Sequence, residues 1–112
     1  MISIVRGNDK AIVFTVKTAT NEAYNLTGHA LYGTVKQNFE DTDETAKIAD
    51  TLTLTTPLSG IATWTIEDTD TTYMLGNYFM DVKLVLSTGG VYTIYRDVLQ
   101  VVDRITRRIT AL

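Results

Sequence analysis

Few side chains in this chain of 112 residues are equipped for catalysis. There is no cysteine, which excludes disulfides, thiolate metal sites and cysteine nucleophiles. The one histidine, His29, excludes a metal site built from several histidines, and because it belongs to no recognisable catalytic motif we interpret it as a structural residue. Only three serines, Ser3, Ser59 and Ser87, are available as hydroxyl nucleophiles. We therefore expect a non-enzymatic protein with no cofactor and no metal site.

Acidic residues offer the other chemistry in the chain, because clustered carboxylates bind hard cations such as calcium. The stretch 40–44 contains four of them but lacks the spacing of an EF-hand loop, so we favour a solvated acidic loop over a cation site. A second cluster, Glu67, Asp68 and Asp70, follows a predicted strand. Asp68 or Asp70 is expected to cap the next turn by accepting backbone N–H bonds.

Two further carboxylates, those of Asp81 and Asp97, lie on predicted neighbouring strands. A close pair of carboxylates is the arrangement that hydrolyses glycosidic bonds, so the spacing leaves a sugar hydrolase open. The interpretation that we favour places both side chains on the outer face of the sheet, where Lys83 and Arg96 oppose them as cross-strand pairs.

The overall charge and hydropathy limit the kinds of partner. Thirteen acidic and ten basic residues give a net charge of −3, whereas dedicated nucleic-acid binders carry a basic surface. No segment approaches the roughly 18 consecutive apolar residues of a membrane helix. Residues 1–7 lack the features of a secretion signal, so we expect synthesis in the cytoplasm and neither nucleic acid nor membrane as partner.

Composition and periodicity both predict strands. Twenty threonines, ten valines and nine isoleucines are β-branched residues, which favour strands over helices. Alternation of side chains between two faces, as in 78–86, is typical of half-buried antiparallel strands. Seven strands are predicted, at about 2–6, 10–17, 29–36, 46–56, 61–67, 77–87 and 91–102.

These short strands, each bounded by turn residues, predict one domain over residues 1–103 with an all-β, immunoglobulin-like antiparallel β-sandwich fold. The segment 76–80 resembles the immunoglobulin tyrosine corner, with Tyr78 two positions before a core residue. That core residue is Met80 in place of a cysteine, and Trp64 lies on a different strand from the usual core tryptophan. We therefore expect a sandwich with immunoglobulin-like topology that is not an antibody-type domain.

A C-terminal arm, residues 104–112, follows the last predicted strand. It combines three arginines with apolar residues spaced by four and three, which suits docking on a partner, with apolar side chains in a groove and arginines on acids. A frayed terminus is the competing interpretation. We favour docking because free isoleucines promote aggregation. The predicted interface residues are Arg104, Ile105, Arg107, Arg108, Ile109 and Leu112.

A series of short motifs runs in order through nearly the whole chain. The motifs are Arg6-Gly7-Asn8-Asp9, Phe14-Thr15-Val16-Lys17, Tyr24-Asn25-Leu26-Thr27-Gly28, Gly33-Thr34-Val35-Lys36, Ser59-Gly60-Ile61-Ala62, Asp68-Thr69-Asp70, Leu75-Gly76-Asn77-Tyr78, Asp81-Val82, Tyr92-Thr93-Ile94 and Val101. With these motifs the chain resembles the N-terminal domain of bacteriophage baseplate upper proteins and related small phage tail proteins.

The resemblance implies a β-sandwich that is a building block of the virion, with no catalytic residues. In that family the domain anchors a longer protein to the tail, whereas this sequence stops at Leu112. A tail or baseplate adaptor, a head–tail connector and a capsid decoration protein therefore all stay open. We expect a homo-oligomer that binds other virion proteins through strand edges and termini.

A carbohydrate-binding module is the alternative from a different class of protein. Sandwich domains with aromatic side chains on one face stack them on sugar rings. The aromatic residues available for such a face are Tyr32, Tyr73, Phe79, Tyr92 and Tyr95.

Overall fold

The computed structural model describes residues 1–38 and 46–103, and in these ranges the chain forms strands and short 3-10 turns without an α-helix. The strands, in chain order, are β1 (Ile2–Val5), β2 (Lys10–Thr15), β3 (Ala30–Lys36), β4 (Ile48–Thr51), β5 (Thr53–Thr56), β6 (Ile61–Ile66), β7 (Gly76–Val85) and β8 (Val91–Val102). The 3-10 turns span Pro57–Ser59 and Asp68–Thr71.

The strands form two sheets with the order of an immunoglobulin-like sandwich. One sheet has five strands in the order β1-β8-β7-β3-β4, and the other has three in the order β2-β6-β5. In immunoglobulin constant-type domains strands B, E and D share one sheet and strands C, F and G share the other. The groups β2-β6-β5 and β3-β7-β8 correspond to these two sets. The predicted all-β sandwich of immunoglobulin-like topology is confirmed.

The predicted strand 46–56 is divided between the two sheets. Its first part, β4, pairs with β3, and its second part, β5, pairs with β6. The chain crosses from one sheet to the other at Leu52, whose side chain is buried and whose N–H donates to Leu31 O at 2.9 Å. The Leu52 side chain lies between the sheets, so buried and exposed side chains continue to alternate through the crossing. For this reason the sequence pattern predicted a single strand over 46–56.

The first strand also departs from the antiparallel prediction. β1 runs parallel to β8, with Ile2 opposite Leu99 and Val5 opposite Val102. The chain then turns at 6–9 and enters the other sheet as β2. As a result, β1 covers one end of the β8 edge and does not pair with β2.

The core lies between the sheets and is organised around one indole ring. Trp64, on the central strand β6, is 1 % exposed, and its Nε1–H donates to Asp50 Oδ2 at 2.8 Å. Gly33, on β3, provides the space for this ring, because a Cβ at that position would lie 2.7 Å from three ring atoms of Trp64. Trp64 belongs to the three-stranded sheet, whereas Gly33 and Asp50 belong to the five-stranded sheet. Its contacts with both residues therefore fix the position of one sheet relative to the other.

The predicted tyrosine corner is present. Tyr78 is buried at the start of β7, where its hydroxyl accepts a hydrogen bond from Leu75 N at 3.0 Å and donates to Leu75 O at 3.2 Å. The ring ties the loop before β7 to the end of the sandwich, which is the role of the corner in immunoglobulin-like domains.

Candidate functional site

The residues predicted for the partner interface lie outside the described part of the chain. Arg104, Ile105, Arg107, Arg108, Ile109 and Leu112 all follow Asp103, the last described residue. The acidic loop 40–44, weighed as a cation site, also lies outside it. The described residues nevertheless show which surfaces the sandwich offers to a partner.

The second acidic cluster has the capping role predicted for it. Asp70 Oδ2 accepts a hydrogen bond from Glu67 N at 2.9 Å, across the 3-10 turn Asp68–Thr71. Asp68 contributes its backbone, because its N–H donates to Asp9 Oδ1 at 2.8 Å. The carboxylates of Asp70 and Asp9 thus hold the loop after β6 in place. Among residues 1–38 and 46–103, no group of three or more histidine, aspartate and glutamate side chains is arranged to hold a metal ion.

The structure separates the two carboxylates considered for sugar hydrolysis. Asp81 lies opposite Arg96 on the outer face of the five-stranded sheet, as predicted. Asp97 lies opposite Met80, which is buried, so it projects from the other face of the sheet. The outer-face prediction for Asp97 is wrong, because it is adjacent to Arg96 along β8 and adjacent residues of a strand point in opposite directions. The two carboxylates therefore do not form a pair.

Asp97 instead organises a polar network that the sequence did not indicate. Its carboxylate accepts hydrogen bonds from the Tyr95 hydroxyl and from Val98 N, and it forms an ion pair of 2.9 Å with the Met1 ammonium group. The hydrogen bond from Tyr95, together with the ammonium group and the Val98 N–H, lowers the pKa of Asp97 to about 2. Burial, with the adjacent carboxylate, raises the pKa of Tyr95 to about 12. The network fixes the start of β1 against β8.

His29 has the structural role predicted for it. It precedes β3 and is half-buried, and its Nδ1 accepts a hydrogen bond from Ser87 N at 3.1 Å. The imidazole also lies against the ring of Tyr24, with a distance of 6.0 Å between ring centroids. These contacts tie the loop before β3 to the loop that connects β7 and β8.

The five aromatic residues of the carbohydrate hypothesis do not share a face. Tyr32 and Phe79 point outward from the five-stranded sheet. Tyr92 and Tyr95 lie on the inner side of β8, and Tyr73 is 97 % exposed in the loop before β7. On the outer face Tyr32 borders a shallow depression of about 230 Å³. The other residues that line it are Thr34, Lys36, Asp81, Lys83 and Val85.

A different surface lies along the side of the sandwich where the two sheets meet. β2 is an edge strand, and within the described ranges no strand pairs with its outer side. Among the described residues β1 covers 99–102 of β8 and no strand pairs with that side of β8 before this range, so this part of β8 is a second open edge. Between the two edges lies a groove of about 310 Å³. It is lined by Phe14, Thr15, Val16, Lys17, Ile94 and Tyr95, and we call it the β2–β8 groove.

The β2–β8 groove is apolar at its base. Phe14 and Tyr95 pack edge to face across it, with 5.1 Å between ring centroids and 66° between ring planes. Phe14, Val16 and Ile94 are only half-buried although they pack on the core. Alternation along β2 directs Phe14 toward the core, but the sequence pattern contains no signal that this part of the inner face is left partly uncovered.

No protein-family model matches the chain, and no curated protein matches it. No helix in the described ranges is long and apolar enough to cross a membrane. The candidate functional site consists of the two open strand edges and the apolar groove between them.

Proposed function

We propose that this chain is a non-enzymatic structural protein of a bacteriophage virion, a tail or baseplate adaptor that works by protein–protein assembly. Its partners are other copies of itself and other virion proteins, and its place of action is the assembled particle. The immunoglobulin-like sandwich supplies a rigid body, and the strand edges supply the contacts.

The observation that carries the proposal is the open edge of β2 beside the open part of β8. An edge strand presents unpaired backbone N–H and C=O groups, which pair readily with a strand of another chain. Proteins that work alone usually cover or interrupt such edges. Here the edges border an apolar groove, so a partner strand gains both backbone hydrogen bonds and burial of side chains.

Two features of the sequence support the same proposal. The ordered motifs from Arg6 to Val101 resemble those of small phage tail proteins. In addition, charge is segregated along the chain. All thirteen acidic residues and seven of the ten basic residues lie in 1–103, giving this part a net charge of −6, while 104–112 carries three arginines and no acid. Opposite charges on arm and body favour association between copies.

The test is to locate the protein in the particle. Antibodies raised against the purified chain, coupled to gold, would be applied to intact particles of the phage whose genome encodes it and imaged by electron microscopy. Labelling at the tail tip or baseplate is the expected result. Labelling over the capsid or at the neck would instead support the decoration or connector alternative, and particles without label or without the protein by mass spectrometry would refute a virion role.

A carbohydrate-binding module is the second candidate, and the depression beside Tyr32 is the observation that favours it. An exposed ring next to the charged side chains of Asp81 and Lys83 combines stacking with hydrogen-bonding groups. A glycan screen with the purified chain and its Tyr32→Ala variant tests it. Binding that is lost in the variant would establish a sugar site, and no binding by the unaltered chain would remove this candidate.

A further inference from the structure

The open edge of β2 presents specific backbone groups. Val16 N donates to Gly60 O at 2.8 Å, and the register continues from Thr15 opposite Ile61. Because backbone groups of successive residues point to alternate sides of a strand, the N–H and C=O groups of Ala11, Val13 and Thr15 point away from β6. These are the groups with which an added strand would pair.

The β2–β8 groove determines where the side chains of an added strand would lie. One face of such a strand would cover Phe14, Val16 and Ile94, which the sandwich leaves half-buried. The other face would continue the solvent-exposed surface of Val13 and Thr15. The occupant must therefore be an extended segment with apolar side chains two or four residues apart.

We infer that the occupant is the arm, residues 104–112, of a second copy of this chain. This inference rests on the proposed function and names the contact through which the copies assemble. In an extended segment Ile105, Arg107, Ile109 and Ala111 share one face, on which the long side chain of Arg107 lies between the two isoleucines. Isoleucine and threonine favour strands. Nine residues extend over about 30 Å, more than the roughly 20 Å of the six-residue strand β2.

Charge favours the same occupant. The arm carries three positive charges and the body 1–103 carries a net charge of −6, so a second copy attracts the arm at a distance. Lys10 is the first residue of β2, and Lys17 lies two residues after its end and lines the groove. Both disfavour basic residues of an added strand at those points, and they therefore restrict the register in which the arm pairs.

The arm of the same chain and the arm of a second copy are both within reach of β2. The end of β8 lies beside the turn that leads into β2, because Arg6 N donates to Val102 O at 2.8 Å and the Arg6 guanidinium pairs with Asp103 at 2.7 Å. The second copy is the occupant that follows from the proposed assembly function. The solution mass distinguishes the two, since an arm that pairs with its own body leaves the chain monomeric.

The experiment measures the solution mass of full-length variants by light scattering over a range of concentrations. The acceptor variant is Val13→Pro, which removes one outward N–H that β6 does not use, and its matched control is Val13→Thr, which keeps that N–H. The donor variant is Ile105→Asp with Ile109→Asp, and its control is Ile105→Val with Ile109→Val.

We expect the unaltered chain and both controls to form multimers. Each of the acceptor and donor variants should raise the dissociation constant about tenfold, since loss of one edge hydrogen bond, or burial of a carboxylate, changes the affinity by about one decade. Mixing the two variants should restore a two-chain complex, because one copy keeps a functional groove and the other a functional arm.

Several results would overturn the inference. They are a monomeric unaltered chain, an acceptor variant that assembles like its control, and a mixture of the two variants that stays monomeric. Circular dichroism and thermal melting confirm that Val13→Pro is folded. If it is not, amide hydrogen exchange of Val13 and Thr15 in the unaltered chain replaces it, and exchange that does not slow on assembly refutes the pairing. The gold-labelling experiment decides the virion role independently, so failure of one proposal is distinguishable from failure of the other.

Discussion

The close approach of Gly33 to Trp64 gives the sharpest prediction for the stability of the fold. In Gly33→Ala the new Cβ would lie 2.7 Å from Cδ2, Cε3 and Cζ3 of the indole, about 1 Å inside a normal carbon–carbon contact. The ring has little freedom to move, because it is 1 % exposed and its Nε1–H is bound to Asp50. Overpacking of this kind costs about 1–3 kcal/mol.

The assay is urea unfolding followed by circular dichroism, with thermal melting as a second measurement. We expect Gly33→Ala to lower the free energy of unfolding by about 1–3 kcal/mol and the melting temperature by roughly 4 °C or more per kcal/mol. Gly90→Ala is the matched control, since its Cβ would meet the flexible end of Leu86 at 3.1 Å and the exposed ring of Tyr92 at 3.2 Å. This control should change the unfolding free energy by less than about 1 kcal/mol.

A double-mutant cycle tests the cause. In a Trp64→Leu background, where the contacting ring atoms are absent, Gly33→Ala should cost at least about 1 kcal/mol less than in the unaltered chain. A Gly33→Ala variant as stable as the unaltered protein would refute the reasoning, and so would a cost that is the same in both backgrounds. Either result would mean that Trp64 does not fix the spacing of the sheets at β3.

Three further predictions concern the corner, a turn and the polar network. Tyr78→Phe removes both hydrogen bonds to Leu75 and should cost about 1–2 kcal/mol in urea unfolding, so an unchanged midpoint would contradict the corner's role. Gly60→Ala should cost more than 1 kcal/mol in the same assay, roughly the strain of a left-handed alanine, because Gly60 has φ 73° and its Cβ would lie 2.4 Å from Val16 O. Asp97 has a lowered pKa of about 2, so its stabilisation is complete above the unfolded value near 4 and is lost as the pH falls through 2. The difference in melting temperature between the unaltered chain and Asp97→Asn should therefore shrink between pH 4 and pH 2, and a constant difference would contradict the assignment.

The sequence alone predicted the strands and their faces because both depend on neighbouring residues. Alternation over 78–86 predicted which side chains of β7 are buried, and Met80, Val82 and Leu84 are buried as expected. The tyrosine corner was also predictable, because Tyr78 reaches a backbone only three residues away. The cap formed by Asp70 was predictable for the same reason, because its carboxylate binds the backbone N–H of Glu67, three residues away.

The face of Asp97 follows from alternation along β8, but its ion-pair partner does not. Residues 95–102 all lie on the same side of the irregularity in the pairing of β8 with β7, so Asp97 shares the inner face with Tyr95 and Leu99. The Tyr95 hydroxyl, two residues away on that face, is therefore a local partner. The Met1 ammonium group reaches Asp97 only when β1 lies on β8, and a pattern read along one strand does not contain this distant partner.

Tertiary structure alone decided which strand edges are left open. The alternation of β1 is the same whether it pairs with β2, its neighbour in the chain, or with β8, and the alternation of 46–56 is the same whether that segment stays in one sheet or crosses at Leu52. The periodicity of side chains shows which face of a strand is buried. Strand pairing, in contrast, is formed by backbone N–H and C=O groups, which are the same in nearly every residue and therefore leave no pattern in the sequence. The choice of pairing partner is therefore made only when distant strands come together in the folded sandwich. The candidate site is a consequence of that choice, because pairing of β1 with β8 leaves β2 and the apolar groove beside it uncovered.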